Sequence, residues 1–203
     1  YESGKTIAGE LTKIGINLNL APVADLASDQ NPSYAMRCLG SDADGVADLL
    51  DDFVSGMREG GLSVTLKTFP GIGNVSADVT ESIAENTDSL MTIRDTNFVP
   101  YASGIQAGAD CVMVSNAAYS KLTVKKVPAF MSQDIVTKLL REELGFDGIV
   151  MTSPLNDNVI ENNYTNEFAV VEAVKAGCDL IVLPGNFKEC YEALITAVEE
   201  GSC

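Results

Sequence analysis

The run Gly60-Gly61-Leu62-Ser63-Val64-Thr65-Leu66-Lys67-Thr68-Phe69-Pro70-Gly71-Ile72-Gly73-Asn74 decides how the rest of the chain is read. An amphipathic stretch ends at Gly60, a short apolar and β-branched run follows from Leu62 to Leu66, and Lys67 stands at its end before a Pro-Gly loop. A glycine closing a helix fits the left-handed C-terminal cap, which other residues enter at a steric cost. A short run with little polar alternation reads as a strand buried on both faces, the habit of parallel sheets.

The same junction recurs four times. Gly15 precedes Ile16 to Leu20, Gly108 precedes Cys111 to Val114, Gly145 precedes Ile149 to Met151, and Gly177 precedes Leu180 to Leu183. Helical spacing fills the intervals, as in Val46, Leu49, Leu50, Phe53, Val54 and Met57, or in Ile135, Val136, Leu139, Leu140 and Leu144. Alternating strand and helix predicts an α/β fold with a parallel sheet. An open dinucleotide-binding sheet is disfavoured, because Gly71-Ile72-Gly73 lacks the third glycine of that fingerprint. Polar residues gather at the strand C-termini instead: Asp25, Lys67, Ser115 with Asn116, Thr152 with Ser153, and Asn186. Barrel enzymes build their sites there. Five strand-helix units fall short of a closed barrel, and Tyr1 opens inside a helix with no strand before it. The expectation is a single TIM-barrel-like (β/α) domain over residues 1–203, an incomplete barrel lacking its first strands. Open strand edges in such a form predict a homo-oligomer.

Composition narrows the function. With 203 residues, 46% of them hydrophobic, the chain buries a sizeable core. Its 29 acidic residues against 13 basic ones leave a charge of −16, which repels phosphate backbones and anionic lipid, so no nucleic acid and no membrane insertion are expected. No run approaches the roughly 20 apolar residues of a membrane span. The five cysteines form no Cys-x-x-Cys pair and lie in apolar contexts, where small buried thiols are the expectation. Histidine is absent altogether. Imidazole is therefore excluded as acid, base or metal ligand, and neither a metal nor another cofactor is expected.

Four segments in order, Gly15-Ile-Asn-Leu-Asn-Leu-Ala-Pro-Val-Ala-Asp25, Arg37-Cys-Leu-Gly40, Lys67-Thr-Phe-Pro-Gly71 and Leu140-Arg-Glu-Glu-Leu-Gly-Phe-Asp-Gly148, give the chain a family resemblance. It resembles the N-terminal domain of glycoside hydrolase family 3, most closely the β-N-acetylhexosaminidase branch. The resemblance implies a TIM-barrel-like fold, O-glycosyl hydrolysis and an N-acetylhexosamine-type glycan as partner. It maps sugar contact onto Arg37 and Lys67, with Thr68 where the family has histidine and Asp25 at the neighbouring strand end. The acid/base Asp-x-His dyad maps onto Asp78, Val79 and Thr80, keeping the aspartate and losing the histidine. The nucleophilic aspartate maps onto Ser153.

Retaining glycosidases need one carboxylate to form the glycosyl-enzyme and a second titratable group to protonate the leaving oxygen. A serine without a base is too weak for the first role. The resemblance thus implies a degenerate catalytic apparatus in a carbohydrate-binding or structural module. Two other readings stay open: an active enzyme with relocated carboxylates, Asp157 substituting for the nucleophile and Asp78 or Glu81 serving as general acid if burial raises its pKa, and a scaffold with no ligand. For Asp25 the residues alone favour a buried group accepting backbone hydrogens, and for Arg37 and Lys67 sugar contact and a structural role, such as pairing with Asp25, weigh equally. Charge and family habit point to a location outside the cytoplasm.

Overall fold

The computed structural model describes residues 1–203. In chain order it runs α1 (Glu2–Lys13), β1 (Leu18–Asn19), α2 (Pro32–Ala35), α3 (Ala43–Glu59), β2 (Ser63–Phe69), β3 (Glu85–Asn86), α4 (Leu90–Asp95), α5 (Phe98–Gln106), β4 (Cys111–Val114) and β5 (Ala118–Tyr119). A 3₁₀ turn (Ala129–Met131), a π-helix (Asp134–Glu143), β6 (Ile149–Thr152), α6 (Asn158–Glu161), α7 (Asn166–Ala176) and α8 (Phe187–Glu199) complete it. Strand and helix alternate as the sequence predicts, and the paired strands of known direction are parallel. The chain divides into two compact units, one of residues 1–74 and 88–113, the other of residues 75–87 and 114–203.

In the first unit β1 pairs parallel with β2, Leu18 opposite Ser63 and Asn19 opposite Val64, and β4 lies on the other side of β2. Val64, Leu66 and Phe69 are fully buried, and the ring of Tyr101 meets Phe69 edge-on at 5.2 Å. Helix α3 packs on α1 at backbone distance: a Cβ on Gly4 would strike the Phe53 carbonyl, and one on Gly56 the Tyr1 carbonyl. The left-handed residue after α3 is Gly61 (φ +81°), one position past the expected Gly60, which stays helical at φ −74°.

In the second unit β3 pairs parallel with β5, and Ser153 donates its amide to the carbonyl of Val114, the last residue of β4, at 2.9 Å. The π-helix closes with the Leu144 amide on the Leu139 carbonyl, five residues back, and buries Ile135, Val136, Leu139 and Leu140. The fifth expected strand, Leu180 to Leu183, does not form. Leu180 makes one parallel bridge with Met151, but the Val182 amide is taken by the Thr152 hydroxyl at 3.1 Å, which interrupts the backbone ladder. Leu183 then leaves with φ +46° and is 57% exposed.

One device appears in both units. Arg58, in the last turn of α3, donates Nη1 to the Gly108 carbonyl and to Asp110 Oδ1 at 2.7 Å, while Asp110 Oδ2 accepts the Val64 amide at 3.0 Å. Arg141 donates Nη2 to the Gly177 carbonyl at 3.2 Å and to Asp179 Oδ2 at 2.6 Å, and that oxygen accepts the Val150 amide at 2.7 Å. In each case an arginine late in a helix reads a Gly-x-Asp triplet and fastens it to the strand that follows the arginine.

Candidate functional site

The first unit centres on Asp25, which is 0% exposed. Its Oδ1 accepts the Thr68 amide at 3.2 Å and the Tyr101 hydroxyl at 2.9 Å; its Oδ2 accepts the Tyr34 hydroxyl at 2.7 Å and the Thr68 hydroxyl at 2.9 Å. Four donors fill the lone pairs a carboxylate offers. Burial still pushes the Asp25 pKa above its ordinary value, outweighing the hydroxyl donors. Backbone bonds join the two strand ends: the Ala24 amide meets the Lys67 carbonyl at 2.7 Å, and the Lys67 amide meets the Pro22 carbonyl at 3.2 Å. The Lys67–Thr68 and Phe69–Pro70 peptide bonds are cis.

Two cations border this centre. Arg37 is exposed and lays its guanidinium over the Tyr34 ring, 5.1 Å from the centroid, a cation–π contact. Lys67 is half-buried, and burial followed by the Arg37 charge holds its pKa below the lysine norm. Neither cation supplies any of the four hydrogen bonds to Asp25. Beside Arg37, burial and the Asp25 charge push the Cys38 thiol up to about 12, so it is no nucleophile at neutral pH. The loop after Lys67 is fixed by its glycines. A Cβ at Gly71 (φ +118°) would run into the Asn97 carboxamide, and one at Gly73 into the Leu26 carbonyl oxygen. Asn74 accepts from Ser28 and donates to Asp88, both at 2.9 Å, on the wall of a cavity of about 190 Å³.

The second unit holds the acidic residues. Ser153 follows β6, is buried, and donates its hydroxyl to the Val114 carbonyl at 2.9 Å. Asp78 is exposed and accepts the Thr80 amide at 2.9 Å and the Thr80 hydroxyl at 2.7 Å, bonds that hold its pKa below the ordinary value. Asp157 behaves oppositely: burial first, then the charges of Asp78 and Glu81, raise its pKa, against a hydrogen bond from Asn116 Nδ2 at 2.9 Å. Asn116 is 1% exposed and its Oδ1 has no partner. Asn158 donates to Glu81 at 2.9 Å and the Val159 amide to the Thr80 carbonyl at 2.8 Å, so the two acidic loops are stitched together. No group of three or more cysteine, aspartate or glutamate side chains converges to hold a metal, and no helix is long and apolar enough to cross a membrane.

The glycosyl hydrolase family 3 N-terminal domain matches residues 1–203. The chain belongs to that family. A family 3 beta-N-acetylglucosaminidase from Paenibacillus sp. is 34% identical to it and superposes with a TM-score of 0.94, over 99% of this chain and 39% of its own. A beta-N-acetylhexosaminidase from Beutenbergia cavernae is 33% identical, with a TM-score of 0.90 over 99% of this chain and 62% of its own. A beta-hexosaminidase from Xylella fastidiosa is 32% identical over 183 residues, 90% of this chain. The family 3 chain spans about half the length of that curated relative, 54%.

Within the family 3 chain the structure gathers Asp25, Arg37, Lys67 and Thr68 in the first unit, and Asp78, Glu81 and Asp157 in the second. Two expectations change. Asp25, a candidate substrate contact in the sequence, has no surface for a ligand to touch; it is the buried acceptor that the residues alone favour, but three of its four donors are side-chain hydroxyls and not backbone amides. A burial-raised pKa is found at Asp157 and not at Asp78, because Thr80 solvates the Asp78 carboxylate with two short bonds. Tyr34 and Tyr101 were invisible in the sequence as parts of this centre. Tyr34 sits in a short helix capped by Asn31, and Tyr101 lies 76 residues from Asp25. Only the aromatic between Asp25 and Arg37 offered a signal.

A pH effect follows from Asp157. Its folded pKa lies above the ordinary 3.8, so its contribution to stability is fully present below that value and is lost as pH rises through the folded pKa. Asp157→Asn keeps an acceptor for Asn116 and removes the titration. Urea midpoints of the variant relative to wild type are expected to move in the variant's favour as pH rises from 3.8 upward.

Proposed function

We propose that this family 3 chain has lost glycoside hydrolysis and acts as a carbohydrate-binding module, with Lys67, Arg37 and Thr68 facing an N-acetylhexosamine-type glycan. The observation that carries the reading is Ser153. It occupies the position that the resemblance gives to the nucleophile, and its hydroxyl is committed to the Val114 carbonyl. Asp78, at the acid/base position, is held ionised by Thr80, which suits a hydrogen-bond acceptor and not a general acid. The names of the relatives, beta-hexosaminidase and beta-N-acetylglucosaminidase, supply the sugar class. The reading takes residues 1–203 as one TIM-barrel-like (β/α) domain, located outside the cytoplasm and self-associating. Its acidic balance of −16 accords with that location.

The full chain, incubated with a chromogenic N-acetyl-β-D-glucosaminide from acidic to neutral pH, is expected to release no chromophore above background. It is expected to bind N-acetylglucosamine in a titration that Lys67→Ala weakens about tenfold, the loss of one charge-assisted hydrogen bond. Turnover that disappears in Asp157→Asn would replace this reading with a second one, an active enzyme using a relocated carboxylate. That alternative rests on the raised pKa of Asp157 in its half-buried site beside Asp78 and Glu81.

A further inference from the structure

Asp25 lies too deep to touch a ligand, yet each cation bordering it is reached through one of its hydrogen bonds. Toward Lys67 the link is covalent and short. Thr68 gives Asp25 both its amide and its hydroxyl, so the carboxylate fixes the peptide that joins Lys67 to Thr68. Toward Arg37 the link is the Tyr34 ring, anchored at its hydroxyl by Asp25 at 2.7 Å and by Thr68 at 3.2 Å, with the guanidinium resting on its face. Tyr101 reaches the carboxylate from α5 and donates its hydroxyl to Oδ1 at 2.9 Å. Its ring packs on Phe69.

We propose that Asp25 is a positioning residue: with Tyr34 and Thr68 it holds Lys67 and Arg37 in one geometry, so that the two cations meet a sugar together. This rests on the carbohydrate-binding reading above. The physical case is that an exposed arginine and a half-buried lysine are long, rotamer-rich side chains whose mutual repulsion favours separation. An ionised partner would collapse them into an ion pair and withdraw them from a ligand. Asp25 does neither, because its four acceptor sites are already filled by hydroxyls and an amide. It fixes the supports beneath the cations and leaves their donors open. Replacing the family's histidine by Thr68 is compatible with this, since the threonine hydroxyl serves as a donor to the same carboxylate.

The test compares two substitutions that each delete one hydroxyl donor to Asp25, Tyr34→Phe and Tyr101→Phe, in the full chain. Both remove a buried hydrogen bond, so both are expected to lower the melting temperature. Tyr34→Phe alone frees the platform under Arg37. Affinity for N-acetylglucosamine is expected to fall about tenfold in Tyr34→Phe and to change less than about twofold in Tyr101→Phe. Equal losses in both variants, or none in either, would overturn the proposal. If wild type binds no N-acetylglucosamine the carbohydrate reading fails, and the positioning claim is then decided without ligand. The NMR order parameter of the Arg37 Nε–H vector is expected to drop in Tyr34→Phe and to hold in Tyr101→Phe; unchanged order in both would sink it.

Discussion

Asp25→Ala is expected to cost about 3–5 kcal/mol in urea unfolding of the full chain, because each buried donor left without an acceptor costs roughly 1–3 kcal/mol. Four donors lose their acceptor together: the hydroxyls of Tyr34, Tyr101 and Thr68, and the Thr68 amide. The size of the deficit should depend on pH, with a definite sign. Burial raises the folded pKa of Asp25 above 3.8, so the wild-type carboxyl contributes most below that value and loses part of its contribution as pH rises through the folded pKa. The gap between wild type and Asp25→Ala is therefore widest in acid and narrows toward neutrality. A deficit under about 0.5 kcal/mol at every pH, the range of ordinary surface substitutions, would mean that water replaces the carboxylate at little cost and that the buried network does not hold this unit together.

Gly73→Ala should be nearly as damaging, at about 3 kcal/mol, the upper range for forced overpacking. The added methyl group is directed at the Leu26 carbonyl oxygen, a backbone atom one residue after Asp25 that cannot swing aside as a side chain would. Relief requires the loop after Lys67 or the segment after Asp25 to shift. Under the proposed carbohydrate-binding function, affinity for N-acetylglucosamine is therefore expected to fall together with stability. A melting temperature and an affinity both at wild-type level would show that the loop has slack the geometry does not suggest.

The strands were legible where glycine and apolar pattern agreed. The expected runs at 16–20, 62–66, 111–114 and 149–151 each contain or overlap a strand. Leu180 to Leu183 carried the same pattern and failed, because whether an amide joins a ladder depends on what stands opposite it, and here the Thr152 hydroxyl does. The helical spacing of Ile135 to Leu144 placed the right residues inside but gave no hint of a π-helix, whose wider turn buries the same face. At the candidate site, strand-end position alone located Asp25, Lys67, Asn116 and Ser153. It did not disclose the role of Asp25, since Tyr101 reaches it from a distant helix and no local pattern encodes that meeting. Nor did it separate Asp78 from Asp157, whose opposite pKa shifts come from what surrounds each carboxyl and not from spacing.

The paired arginine clamps, Arg58 with Asp110 and Arg141 with Asp179, bear on how such a chain can change. Both bind the start of a strand, at the amides of Val64 and Val150, whereas Lys67 stands in the C-terminal half of β2 and Ser153 directly after β6. Within each unit the fastening of the strand and the candidate site residue thus lie toward opposite ends of that strand. Residues toward the strand C-termini can change while the fastenings at the strand starts hold Val64 and Val150 in place. Substitution at one end of such a strand need not disturb its anchorage at the other.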